Sequence, residues 1–251
     1  MRKSLVEVTF SFPYTTMKKQ VVFSLLTLLL VQISSVQIQA QQAKNYWPKA
    51  GVTYEIFVQS FSDSNGDGIG DFNGVTEKLD YVKELGANAI WFMPIMPSPT
   101  YHKYDVTDYK AVHPDYGTMA DFKRLLDEAH KRDIKVVIDM IINHTGTDHP
   151  WFQASKSGRE NAFRDYYVWA QKDTIASYLN KKTVTLDSDN IRQWHDPGQG
   201  QDYYYGFFWG GMPDLNFDSP KVREEIVSAG RFWLEEVGVD TYHHTMFEML
   251  G

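Results

Sequence analysis

The spacing of apolar residues changes several times along the chain, and each change marks a predicted element. VTYEIFV (52–58) is rich in β-branched and aromatic residues and reads as a strand. In GVTEKLDYVKELG (74–86), Val75, Leu79, Val82 and Leu85 recur at helical spacing, and a glycine ends the run. NAIWFMP (88–94) is a second buried strand. TMADFKRLLDEAHKRD (118–133) is a second helix, with Thr118 as N-cap and Asp121 three residues on, an acidic variant of the capping box. IKVVIDMIINH (134–144) is a third strand, almost continuously apolar. From Thr145 to about Asp218 regularity fails, and the chain is polar, aromatic and Gly-rich. A stretch of that length is a functional insertion or a small domain. SPKVREEIVSAGRFWLEEVG (219–238) restores the helical period, with Ser219 as N-cap and Pro220 at the first helical position. Val239 and Asp240 open a fourth strand.

Near-continuous apolar strands separated by amphipathic helices predict an α/β fold with a parallel sheet covered on its outside. The order βαβαβ, insertion, αβ fits an open doubly wound sheet or a β/α barrel. Both carry their active groups at the C-terminal ends of strands.

The start of the chain belongs to a different class. Met17-Lys18-Lys19 precedes an apolar run, VVFSLLTLLLV (21–31), too short to span a bilayer, and IQA (38–40) supplies a small residue before a cleavage point. Residues 17–40 are expected to be an export signal and residues 1–16 an upstream stretch, with a mature chain from Gln41 that has no stable membrane span. An uncleaved anchor is the alternative. The expected destination is the periplasm or the medium. A net charge of −7 with no basic run argues against nucleic acid as a partner. The absence of cysteine removes disulfides, thiol nucleophiles, cysteine zinc sites and lipid-modified cysteine. The aromatic share of 15% mainly serves a core, but Tyr and Trp faces with polar edges also suit sugar rings.

DSNGDGIGDFNG (63–74) concentrates carboxylates between the first strand and the first helix. A nucleotide loop there needs G-x-G-x-x-G. Gly68 and Gly70 begin that pattern, but Asn73 breaks it, and three carboxylates repel a pyrophosphate. A hard cation fits better: Asp63, Asn65, Asp67, the Ile69 carbonyl and Asp71 fall at alternate positions, with Gly68 at the sharp turn. The twelfth position is Gly74, so the loop is EF-hand-like without the bidentate Glu. The expected ion is Ca2+, supporting the loop rather than taking part in chemistry. A turn with solvated charges is the plainer alternative.

Three further motifs end strands or close the insertion. YHKYDVTDY (101–109) sets Tyr104 beside Asp105; DMIINH (139–144) ends the third strand; MPDLNFD (212–218) closes the insertion. Each alone is weak. Together they resemble the α-amylase family of glycoside hydrolases: DMIINH is similar to its signature at the end of barrel strand three, and MPDLN to the short signature near the end of its inserted domain B. The acidic loop and YDVTDY are similar to the branch holding oligo-1,6-glucosidase, neopullulanase-like enzymes and starch-utilisation amylases. The resemblance runs from about Trp47 to Asp240.

It implies a (β/α)8 TIM-type barrel, here its first four strands, with barrel residues 41–144, domain B at 145–218, and a third helix and aberrant fourth strand at 219–251. It implies that Tyr104 stacks on a glucose, Asp105 hydrogen-bonds it and His144 binds its hydroxyls. Asp139 and Asn143 brace the His144 loop. In calcium-dependent members the Asn143 position also binds a second calcium, and Asp214 is a candidate to share that role.

The resemblance breaks in GVDTYHHTMFEMLG (238–251). After the usual Gly238, Val239 and Asp240, Thr241 stands for Gly, Tyr242 for Phe, His243 for Arg and Thr245 for the nucleophilic Asp. Retaining glycosidases need a nucleophile and an acid/base about 5–5.5 Å apart. Neither is encoded, nor is the family's third carboxylate, and Glu248 reads as tail. The expectation is a truncated piece of a retaining α-glucan hydrolase, inactive alone. The alternatives are a non-catalytic calcium- and glucan-binding fragment and a truncated transferase or isomerase of trehalose-forming type.

Overall fold

The computed structural model describes residues 51–179, 192–198 and 202–245. The expected export signal and Glu248 lie outside them. Among the described residues, no helix is long and apolar enough to cross a membrane.

Four strands, β1 (Val52–Ile56), β2 (Ala87–Phe92), β3 (Lys135–Ile141) and β7 (Thr241–Thr245), form one parallel sheet in that order. Ile56 lies opposite Phe92, Phe92 opposite Ile138, and Ile138 opposite Tyr242. Strand order follows chain order without reversal. Right-handed crossovers then place every helix on the same face, which is barrel topology; a doubly wound sheet reverses direction. β1 is shorter than expected because residues Val58–Ser60 turn into a 3-10 helix that buries Val58.

The helix expected at 74–86 is two helices, α1 (Phe72–Glu77) and α2 (Leu79–Glu84). They separate at Lys78 (φ −100, ψ 5), whose N–H bonds the Val75 carbonyl in a tight turn. α3 (Met119–Lys131) carries the predicted capping box in both directions between Thr118 and Asp121. α5 (Pro220–Arg231) has Pro220 in its first turn as expected, but the Ser219 side chain makes no capping bond. It runs on into one π-helical turn, Phe232–Val237, closed by Gly238 at φ 96. That turn buries Trp233, whose indole N–H donates to the Tyr109 carbonyl at 2.7 Å. Phe122 of α3 joins Phe72, Phe92 and Trp233 into one aromatic core between helices and sheet.

The fourth strand is more complete than the broken motif suggests. β7 pairs with β3 from Val137–Thr241 to Ile141–Thr245. Its approach is held by Asp240, whose buried carboxylate accepts from Val136 N (2.8 Å), Lys135 Nζ (2.9 Å) and His130 Nε2 (2.7 Å).

Between β3 and α5, the insertion holds a short helix α4 (Pro150–Ser155) and an antiparallel sheet. Its strands β4 (Trp169–Gln171), β5 (Trp194–His195) and β6 (Asp202–Tyr205) lie in the order β4-β6-β5. Asp202 joins Arg159 and Arg164 at 2.6 Å each, and the Arg164 guanidinium lies 3.7 Å over the Trp169 ring.

Candidate functional site

The C-terminal ends of β2 and β3 bring together three of the side chains expected to meet a ligand. The loop after β2 runs alongside the loop after β3, and the Gly146 N–H bonds the Val106 carbonyl at 2.8 Å. A Cβ at Gly146 would stand 2.7 Å from the Asp105 carbonyl oxygen, so only glycine allows this approach. Tyr104, Asp105 and His144 are therefore neighbours by construction.

Each is held differently. The Asp105 carboxylate is buried, and the Ser98 and Thr100 hydroxyls donate to its Oδ1. Tyr104 is half-buried, and its hydroxyl donates to Asp139 Oδ2 at 3.0 Å. Burial, reinforced by the Asp139 charge, pushes the Tyr104 phenol well up from its ordinary value, so it remains a donor. Asp139, 1% exposed, also meets His243 Nδ1 at 2.9 Å.

His144 is buried, and burial pulls its imidazole down to about 4. It is neutral near pH 7, able to donate from one nitrogen and accept at the other. Its Nε2 is buried and makes no well-aligned hydrogen bond among the described residues, although the Tyr104 backbone lies within reach of the ring. Such an atom costs free energy until a partner arrives. The Phe208 ring stands edge-on at 5.2 Å, and the Tyr109 hydroxyl donates to the His144 carbonyl at 3.0 Å.

Asn143 and Asp214 brace this ring. His144 and Asp214 form an isolated antiparallel bridge; Leu215 N bonds the Asn143 carbonyl at 2.9 Å and Thr145 N the Pro213 carbonyl at 3.2 Å. The two motifs at the ends of the insertion are thus stitched to each other. The Asp214 carboxyl accepts from Phe207 N at 3.1 Å, and burial pushes it up to about 7 against the bonds from Phe207 and Asn143.

The acidic loop lies after β1. Asp63 accepts from the N–H groups of Asn65 (3.0 Å), Gly66 (2.7 Å) and Gly68 (2.8 Å), led by Gly68 in holding its carboxyl below the usual range. Asn65 and Asp67 each close the same kind of turn, onto Asp67 N and Ile69 N. Gly68 sits at φ 91, the left-handed turn expected of it. Asp71 is engaged elsewhere: it caps α1 through Gly74 N (2.7 Å) and accepts from Ser64. The donor set of Asp63, Asn65, Asp67, the Ile69 carbonyl and Asp71 is all oxygen, which suits a hard cation. Among the described residues, no three carboxylate, imidazole or thiol groups are gathered as a metal cluster.

His243 and Phe208 were not expected here. His243 lies opposite Asp139 in the β3–β7 register, which only strand pairing reveals, and Phe208 sits in an aromatic run with no distinguishing period. Thr245 lies opposite Ile141 at the end of β7.

Residues 55–250 match the catalytic domain of alpha amylase. The chain is 47% identical over 196 residues to alpha-amylase 3 of Dictyoglomus thermophilum, covering 78% of this chain and 36% of that protein. It is 42% identical over 206 residues to the oligo-1,6-glucosidase of Parageobacillus thermoglucosidasius, covering 82% and 36%. The solved alpha-amylase of H. orenii superposes with a TM-score of 0.72 at 47% identity, covering 81% of this chain and 41% of that one. The chain therefore spans about a third of the length of the curated relatives it matches, and its sheet is the N-terminal part of their TIM barrel. Sequential parallel strands, a small domain inserted after the third, and strand-end motifs that meet around His144 all agree with a match over most of the chain: it belongs to the α-amylase family.

Proposed function

We propose that this chain carries the glucose-binding half of a retaining α-glucan hydrolase, and that its ligand is starch or a maltooligosaccharide. One observation carries this reading: the buried, neutral imidazole of His144 with an unsatisfied Nε2 beside the Asp105 carboxylate. A sugar hydroxyl supplies the missing partner, Asp105 accepts from a second hydroxyl, and Tyr104 offers a ring face. With Thr245 at the position where the resemblance puts the nucleophile, the chain binds glucan without cleaving it. Ca2+ held by Asp63, Asn65, Asp67, the Ile69 carbonyl and Asp71 supports the loop after β1, and the chain acts after export.

Calorimetric titration with maltoheptaose tests the reading, together with chromatography of the sugar. The expected result is saturable binding that His144→Ala weakens by about tenfold or more, with the sugar intact. Absence of binding at millimolar sugar, or equal binding by the variant, would sink the glucan subsite. Released glucose or maltose would sink the non-catalytic part alone.

A further inference from the structure

The Asp139 carboxylate is nearly sealed from solvent, yet it serves two rings from different elements. Its Oδ2 accepts the Tyr104 hydroxyl at 3.0 Å, and its Oδ1 meets His243 Nδ1 at 2.9 Å. The contact at Oδ1 is a hydrogen bond when the His243 ring carries a proton on Nδ1 and donates it. Two features fix the imidazole. The β3–β7 register sets His243 directly opposite Asp139, on the same side of the sheet. The Trp91 ring packs against it, centroids 4.6 Å apart and planes tilted 49°. The His243 side chain is nevertheless half exposed, so it closes the outer end of a chain that begins at the sugar-facing ring.

We propose that His243 is a positioning residue for the sugar subsite, setting the pose of Tyr104 through the Asp139 carboxylate. The inference rests on Tyr104 as the sugar-stacking residue. A carboxylate held by donors on both oxygens has a fixed plane, and the Tyr104 hydroxyl is fixed with it. Loss of His243 removes one of the contacts that set the carboxylate plane, and a shift of that plane carries the Tyr104 phenol with it. Arginine, which the resemblance places at this position, reaches further than imidazole; the short His243 makes its bond because its own backbone is in register with that of Asp139.

Three substitutions test this with two readouts. Asn at 243 puts its amide nitrogen close to where Nδ1 stands, Gln carries its amide one carbon further out, and Ala removes the donor. The first readout is the Tyr104 Cζ resonance in chain labelled with 13C-tyrosine and assigned with Tyr104→Phe, which needs no sugar. The second is maltoheptaose affinity. His243→Ala and His243→Gln are expected to shift the Tyr104 resonance and weaken binding by about tenfold, the scale of one bond to a charged group. His243→Asn should keep the resonance in place and stay within about twofold of the parent affinity. An unmoved resonance in His243→Ala overturns the proposal, as does His243→Asn behaving like His243→Ala. If the parent chain binds no maltoheptaose, the glucan reading fails separately, and the resonance still decides the role of His243.

Discussion

His144 and Asp214 face each other as a single antiparallel pair, and that pair closes the base of the insertion. The His144 imidazole is therefore only as well placed as the segment carrying Asp214.

Asp214 makes this brace sensitive to pH. Burial raises its folded value to about 7 from the ordinary 3.8 of an aspartate. The fold thus prefers the protonated acid: that contribution is whole below about pH 4, falls as pH rises toward 7, and is constant above. At 1.36 kcal/mol per unit the loss is at most about 4 kcal/mol. Asp214→Asn should flatten this slope. Urea unfolding at pH 4.5 and 7.5 in chelator checks it; parallel slopes in both proteins would contradict the assignment.

The acidic loop should separate into two roles. Asp63→Asn and Asp67→Asn should abolish any rise in melting temperature produced by calcium over chelator; in chelator alone Asp67→Asn should change little, while Asp63→Asn loses one of the two oxygens that accept from the loop N–H groups. Asp71→Ala should also abolish that rise and, unlike Asp67→Asn, lower the melting temperature in chelator, since it loses a helix cap worth about 0.5–2 kcal/mol: its carboxylate bonds Gly74 N at the start of α1. A thermal melt with and without calcium reads both. No calcium response in the parent chain would leave the loop as a set of self-closing turns.

Asp240 should matter more than any surface charge. Its carboxylate is fully buried and bonds His130, Lys135 and the Val136 N–H where β7 joins the sheet. Asp240→Ala removes the shared acceptor of three donors and is expected to cost about 2–4 kcal/mol in urea unfolding. An unchanged midpoint would mean that β7 docks without it.

The sequence made the sheet legible because strands buried on both faces read as apolar runs, as in residues 134–142, and α3 because Thr118 and Asp121 form a local signal complete in itself. The break at Lys78 was hidden: Val75, Leu79 and Val82 keep one period across it, since both short helices bury the same side. Asp71 fits a cation by its alternate position, and three residues before Gly74 N it is equally a helix start. β7 forms although its motif is lost, because pairing asks only for β-compatible residues such as Thr241 and Tyr242. The His243–Asp139 contact joins residues 104 apart and follows from register, which apolar spacing does not encode.

The stitching of residues 143–145 to 213–215 gives the inserted domain a waist. Chain leaves and returns at adjacent points, so the entropy of whatever lies beyond depends only on the logarithm of its length, with a doubling costing about 0.6 kcal/mol. The insertion is in this sense an exchangeable cartridge. Its outer part can lengthen, shorten or change composition while the floor around His144 stays put, at little risk to folding.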